Sequence, residues 1–175
     1  MNRELWEKAV AFHGHVCGGI ALGVRASMEA IDRLNITFSE DEELVCVTEN
    51  DACGVDAVQA ILGCTMGKGN LIYYGTGKMA FNFYNRTTGE SFRLMAKPKK
   101  SGGPKGREYI DFVLDGPLEE IFDVMPTRYE LPEKARSIDN AVCSICGEVA
   151  PETKMRIQNG KPVCLECFND YNRGW

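Results

Sequence analysis

Residues 44–62 read LVCVTENDACGVDAVQAIL, a β-branched run that breaks at polar residues and resumes with a different period. In Leu44–Glu49 valines flank Cys46, the pattern of a short strand, and Cys46 reads as a small buried hydrophobe within it. From Ala52 to Leu62 the apolar residues Val55, Ala57, Val58, Ile61 and Leu62 recur at helical spacing. At the junction Glu49, Asn50 and Asp51 suit ligand contact or helix capping equally, with Asp51 the better cap. Cys53 stands at the same junction, where loops at strand ends place functional groups, and Asp56 follows three residues on.

Upstream, Arg3–Phe12 and Gly18–Leu34 carry helical periodicity, the second through Ile20, Val24, Ser27, Met28 and Ile31. Downstream, the glycine-rich turn Gly63–Asn70 leads into NLIYYG, MAFNFYN and SFRLMA, separated by turns at Gly75–Gly77 and Thr87–Glu90, which read as a three-stranded meander. Helix, strand, helix and three strands make an α+β pattern, α-β-α-βββ, whose apolar sheet face needs the helices as a cover. The stretch Lys97–Glu108, KPKKSGGPKGRE, has five basic residues and no apolar period, and reads as a mobile, solvated loop. YIDFVLD then reads as a strand and PLEEIFDVM as a helix. The chain turns polar around Leu131–Asp139, so the expected division is a core domain over 1–130, a linker over 131–140 and a small domain over 141–175.

A chain of 175 residues can bury one good core and carry a small appendage. Twenty basic against 25 acidic residues give a net charge of −5, which offers no general attraction to nucleic acid or anionic membranes. The N-terminus MNRELWEKAV lacks the apolar core of a signal peptide and no stretch reaches the length of a membrane span, so the expected location is the cytoplasm. In a reducing compartment the eight cysteines are metal ligands, redox groups or buried hydrophobes before they are disulfides.

Spacing decides for four of them. Cys143 and Cys146, then Cys164 and Cys167, form CxxC, 17 intervening residues, CxxC, the pattern of a zinc ribbon with a hairpin turn at Asn159 and Gly160. Two redox dithiols are the alternative, but a unit this small needs a staple to fold. Four thiolates close the coordination sphere, so zinc there is structural. The ribbon's acidic residues (Asp139, Glu148, Glu152, Glu166, Asp170) outnumber its basic ones (Lys154, Arg156, Lys161, Arg173), which points to packing on its own domain or a protein partner and away from nucleic acid.

The chain's two histidines both fall in AFHGHVCGG, residues 11–19, beside a thiol. His13, His15 and Cys17 are three transition-metal donors within five residues. A continuous helix would put His13 and Cys17 on one face, with His15 turned away; a turn feeding a helix N-terminus, loosened by Gly14, Gly18 and Gly19, would let His15 and Cys17 converge. A helix N-terminus also lowers a thiol pKa, suiting Cys17 to ligand or nucleophile. Cys53 could complete such a His/Cys site, and the metal that those donors accept could be zinc, nickel or iron. GCTMGKGN, Gly63–Asn70, fails as a phosphate-binding loop because Gly63 lies too close to Lys68 and glycine follows the lysine; Lys68 reads as an anion contact or as part of a sharp turn.

FHGHVCGGIALGVRA, TENDACGVDAVQAILGCTMGKGNL, the glycine and lysine of YYGTGKMAF, and the terminal CxxC pairs together resemble the formylmethanofuran dehydrogenase E-type family, named for one component of that enzyme. The resemblance implies a mixed sheet with helices on one face, and a metal-binding protein accessory to a tungsten or molybdenum one-carbon oxidoreductase. It does not imply that this chain reduces carbon dioxide, since no run of cluster-binding cysteines is present. Carried over by position, His13, His15, Cys17, Cys53, Asp56 and Cys64 are motif residues. Cys17 and Cys53 stand nearest a metal, and Asp56, Cys64 and Lys68 are cofactor-side residues. A homodimer, the other components of such an oxidoreductase and a small ligand in the core pocket are the partners so implied. One departure is Gly18, where proline is frequent after the cysteine.

Overall fold

The structure, a computed structural model, describes residues 2–170. It divides into two compact units, Met1–Ala135 and Arg136–Trp175. Within the ribbon, residues 171–175, Arg173 included, lie outside the described residues.

The first unit is built on a five-stranded mixed sheet. Its interior strand β1 (Leu44–Thr48) is buried at every position, as the unbroken apolar run requires. Helix α3 (Gly54–Leu62) carries the chain back to β2 (Leu71–Tyr73), which pairs parallel to β1. On the other side of β1 lies β3 (Ala80–Asn85), antiparallel, followed by β4 (Ser91–Ala96). The order β2-β1-β3-β4 replaces the expected meander. A strand with two apolar faces belongs in the middle of a sheet, so β1 separates the two strands that are neighbours in sequence.

The second correction concerns residues 106–125. YIDFVLD lies in α4 (Gly106–Asp115), not a strand, and PLEEIFDVM is one turn of helix, α5 (Leu118–Ile121), and then β5 (Phe122–Met125) on the edge of β4. Ile110, Val113 and Leu114 are buried in α4, an i, i+3, i+4 stripe that a strand would split between two faces. In the second segment only Phe122 of the four strand residues is buried, as suits an edge.

Helices α1 (Arg3–His13), α2 (Gly18–Leu34), α3 and α4 share one core with Leu44, Cys46, Phe81, Phe83 and Leu94 from one sheet face. The opposite face carries Val45, Val47 and Tyr84, covered by Ile72 and Tyr129. On that face Arg93 from β4 reaches Glu49 at 2.6 Å, with both side chains buried; Asn82 and Thr76 also donate to the Glu49 carboxylate. Glu49 is therefore neither cap nor exposed ligand. Asn50 takes the local turn, accepting from the Ala52 amide at 3.1 Å, whereas α3 starts without a side-chain cap from Asp51.

The second unit consists of two hairpins, β6 (Asn140–Val142) with β7 (Val149–Pro151) and β8 (Met155–Gln158) with β9 (Lys161–Cys164). Asn159 and Gly160 turn the second hairpin with positive φ at both residues, 51° and 75°, as a two-residue type I′ turn demands. Among the described residues its buried apolar cluster is Cys143, Met155 and Val163.

Candidate metal centres

Helix α1 ends at His13 because Gly14 adopts a left-handed conformation, φ 88°, and its amide caps Val10. The turn 15–17 follows, and Cys17 is the N-cap of α2, its sulfur accepting from the Ile20 amide at 3.3 Å. The turn geometry, not the continuous helix, is the one realised. It brings the His13 and His15 rings to a centroid distance of 4.3 Å, tilted by 39°, and leaves His13 Nε2 3.9 Å from Cys17 Sγ.

Cys53 arrives from α3. Helices α2 and α3 approach so closely that a Cβ on Gly23 would collide with the Gly54 backbone, and one on Gly19 would lie 3.0 Å from Cys53 Cβ. Larger residues at these positions would pry the two helix starts apart. The result is that His13, His15, Cys17 and Cys53 each present a donor atom, all within 4.8 Å of one another. Sequence reasoning does not single out the glycines that achieve this. Their signal is a small-residue stripe, Gly19, Gly23 and Ser27, at every fourth position on one face of α2.

Asp56, one turn into α3, accepts a hydrogen bond from His13 Nδ1 at 2.7 Å, which fixes the ring and leaves Nε2 facing the cluster. The His13 side chain is 10% exposed. The Asp56 hydrogen bond pushes the His13 pKa up against the opposing effect of burial. At Cys17 burial pushes the thiol up, but the Ile20 amide and the neighbouring Cys53 thiol outweigh it and the net shift is downward. Cys53 moves the other way, raised by burial and by the Cys17 sulfur. Cys17 is thus the more readily ionised of the two thiols, and a bound cation would favour both thiolates.

Cys64 and Lys68, expected on the cofactor side, are occupied elsewhere. Cys64 is fully buried in the helix-side core, its thiol directed to the Leu44 carbonyl and its pKa raised by burial to about 12. Lys68 donates to the Ser39 carbonyl at 2.6 Å and lies over the Phe38 ring. Both hold the turn after α3 in place, and Asn70 completes it by donating to Asp41, Leu44 and Gly63 carbonyls.

In the second unit Cys143, Cys146, Cys164 and Cys167 also bring their sulfurs within 4.8 Å of one another. The Cys146 and Cys164 sulfurs are 4.0 Å apart, close to the ~3.8 Å edge of a tetrahedron with 2.3 Å zinc–sulfur bonds. Backbone amides, that of Cys164 first, lower the Cys143 thiol to about 6, while the neighbouring sulfurs raise Cys167 to about 12. Four sulfurs crowded together are a closed zinc-type donor set; the mixed N/S donors of the first unit, with a carboxylate behind one imidazole, equally suit a transition ion. Among the described residues no other group of three or more His, Cys, Asp or Glu side chains meets this geometry.

Fold and clusters define a two-unit protein of mixed α and β structure, organised around transition-metal donors. Residues 12–123 match the family model described as FmdE, molybdenum formylmethanofuran dehydrogenase operon; that is more than half of the chain, and the chain belongs to this family. Residues 136–173 match the prokaryotic dksA/traR C4-type zinc finger. A probable S-adenosyl-L-methionine-binding protein of Archaeoglobus fulgidus is 28% identical over 196 aligned positions, covering 94% of this chain and 52% of that protein. The chain thus spans about half the length of the curated relative it matches. The crystal structure of a tungsten formylmethanofuran dehydrogenase FmdE-like protein from Syntrophus aciditrophicus shares the fold, with a TM-score of 0.65, 24% identity, and coverage of 94% of this chain and 90% of that one. Among the described residues no helix is long and apolar enough to cross a membrane.

Proposed function

We propose that the first unit holds a transition metal through His13, His15, Cys17 and Cys53, that the second holds a structural zinc through its four cysteines, and that the chain is accessory to a molybdenum or tungsten one-carbon oxidoreductase. The observation that carries this reading is the convergence of four N/S donors within 4.8 Å, with Asp56 bound to the far nitrogen of His13. Zinc, nickel and iron all suit the donors. Bound there, the ion supplies Lewis acidity. The chain's own residues do the rest: Asp56 orients His13, the Ile20 amide supports the Cys17 thiolate, and the glycine contact of α2 with α3 holds Cys53 in place. The accessory role rests on family membership. Its test is affinity purification of the tagged chain from its native host under anaerobic conditions: pterin-metal oxidoreductase components should co-purify in stoichiometric amounts, and their absence would refute the role while leaving the metal sites standing.

A second reading, a docking scaffold, is favoured by apolar side chains that the ribbon presents outward: Ile145 and Ile157 are 62% and 71% exposed. If docking is the function, Ile145→Lys with Ile157→Lys abolishes partner binding with both metals retained; unchanged partner binding would remove this reading.

A further inference from the structure

The basic loop after β4 does not simply project into solvent. With α4 and α5 it encloses a cleft of about 130 Å³, walled by Tyr109, Phe112, Val113 and Ile121 and edged by lysines. The volume approaches that of an engineered apolar protein cavity of ~150 Å³ that takes up benzene. The lysines are not equivalent. Lys97 pairs with Asp123 at 3.1 Å and Lys100 with Glu120 at 2.8 Å. Lys99 has no carboxylate partner among the described residues; its ammonium rests over the Tyr109 ring, 3.9 Å from the centroid.

The same ring packs on the first residue of α2. A Cβ on Gly18 would lie 2.8 Å from Tyr109 Cε1 and 4.0 Å from Lys99 Nζ. An ammonium without a carboxylate partner among the described residues therefore stands near the first turn of a 17-residue helix, whose dipole adds to the attraction for negative charge. Apolar walls close to such a cation select a ligand with an apolar body and one anionic head. We infer that this cleft is a binding site for a small, flat apolar monoanion, an aromatic or similarly compact carboxylate, whose head pairs with Lys99 while its body lies against Tyr109 and Phe112. Gly18 directly follows Cys17, so the Tyr109 ring that walls the cleft also packs one residue from the core donor cluster. The assignment gives a chemical class to the small ligand expected near that cluster, and it rests on the proposed function only for the neighbouring metal; the cleft itself needs none.

The probe is benzoate, with benzamide as its neutral match and acetate as its head without the body, titrated into the full chain and followed by amide chemical shifts. Metal content is measured on the same samples, so a missing core ion and a missing ligand site are read separately. Benzoate should cause saturable shifts at Gly18, Gly103 and Tyr109. Benzamide, acetate and the exposed-loop variant Lys99→Gln should each weaken the response at least about tenfold, the scale of one charge-assisted contact. Lys105→Gln, which changes the loop's charge without touching the cation over Tyr109, should leave benzoate binding unchanged. No saturable shift at those residues, equal binding of benzamide or acetate, or full binding by Lys99→Gln would overturn the assignment.

Discussion

The two clusters use the same donor chemistry and are assembled in opposite ways. In the ribbon each pair of sulfurs comes from one tight turn, and the described residues around them bury little more than Cys143, Met155 and Val163. Such a unit derives its folding free energy from the metal. In the first unit the donors come from the end of α1, the turn after it and the starts of α2 and α3, the last two brought together by glycine contacts, and the body behind them has its own large core and a buried Glu49–Arg93 pair. A metal there would be a guest in a fold that has its own core.

The largest effect should follow from taking a ligand out of the ribbon. Structural zinc in small domains binds with about 10–16 kcal/mol, so Cys143→Ser is expected to unfold residues 140–170 while leaving the first unit intact; heteronuclear NMR should show collapsed ribbon shifts beside unchanged resonances for α2 and β1. A ribbon that stays folded without its metal would break the contrast.

Next in size is Glu49→Gln. It leaves the Arg93 guanidinium buried without its charge partner, a loss of about 3–5 kcal/mol, and chemical denaturation should place the whole loss in the first unit. The same pair sets an acid limb. Burial pushes the Glu49 carboxyl up, but the Arg93 and Asn82 hydrogen bonds prevail and hold it below its ordinary value. Its folded-state pKa is therefore lower than its unfolded one, and its contribution is fully present above the usual carboxylate range, about pH 4, and lost as pH falls through the depressed value. The denaturation midpoint of the first unit should drop below that pH, and Glu49→Gln should flatten the drop.

Gly23→Val is expected to cost about 3 kcal/mol, the upper range for overpacking, because the atoms it meets are the Gly54 backbone. It should also lower core-metal occupancy without touching any ligand, which a role for Gly23 in stability alone would not do. The smallest effect is Asp56→Asn, which keeps the shape and removes the charge behind His13. Loss of such support typically lowers metal affinity about 10- to 100-fold, and competition with a chromophoric chelator should show it with the melting temperature of the first unit unchanged.

These differences explain what can be read in the sequence. The ribbon is legible because its ligands and turn lie close together along the chain: CxxC, Asn159-Gly160, CxxC. The strand at 44–48 and the helix after it are legible because their periodicities differ. The three strands within 71–96 have clear local patterns, but the partner of β2 is set by the crossover through α3, a nonlocal choice, and a meander is the wrong order for that reason. YIDFVLD is apolar at five of seven positions, too rich for period alone to separate strand from helix; packing against α2 decides. At the core site the donors His13, His15, Cys17 and Cys53 are legible as residue types, yet the contacts that unite them are backbone approaches at Gly19, Gly23 and Gly54, which have no side chain to advertise them. Cys64 and Lys68 carry a motif's suggestion and serve instead the turn after α3.

We propose that two independent metal sites coexist on this chain, one that folds its surroundings and one that its surroundings hold ready. Native mass spectrometry of anaerobically purified protein, with parallel elemental analysis, tests it most directly. Wild type should carry two ions per chain, Cys17→Ser with Cys53→Ser should carry one, and Cys143→Ser should keep one ion in a folded first unit. A single ion in the wild type, lost entirely with Cys143, would rule out a metal at the core cluster.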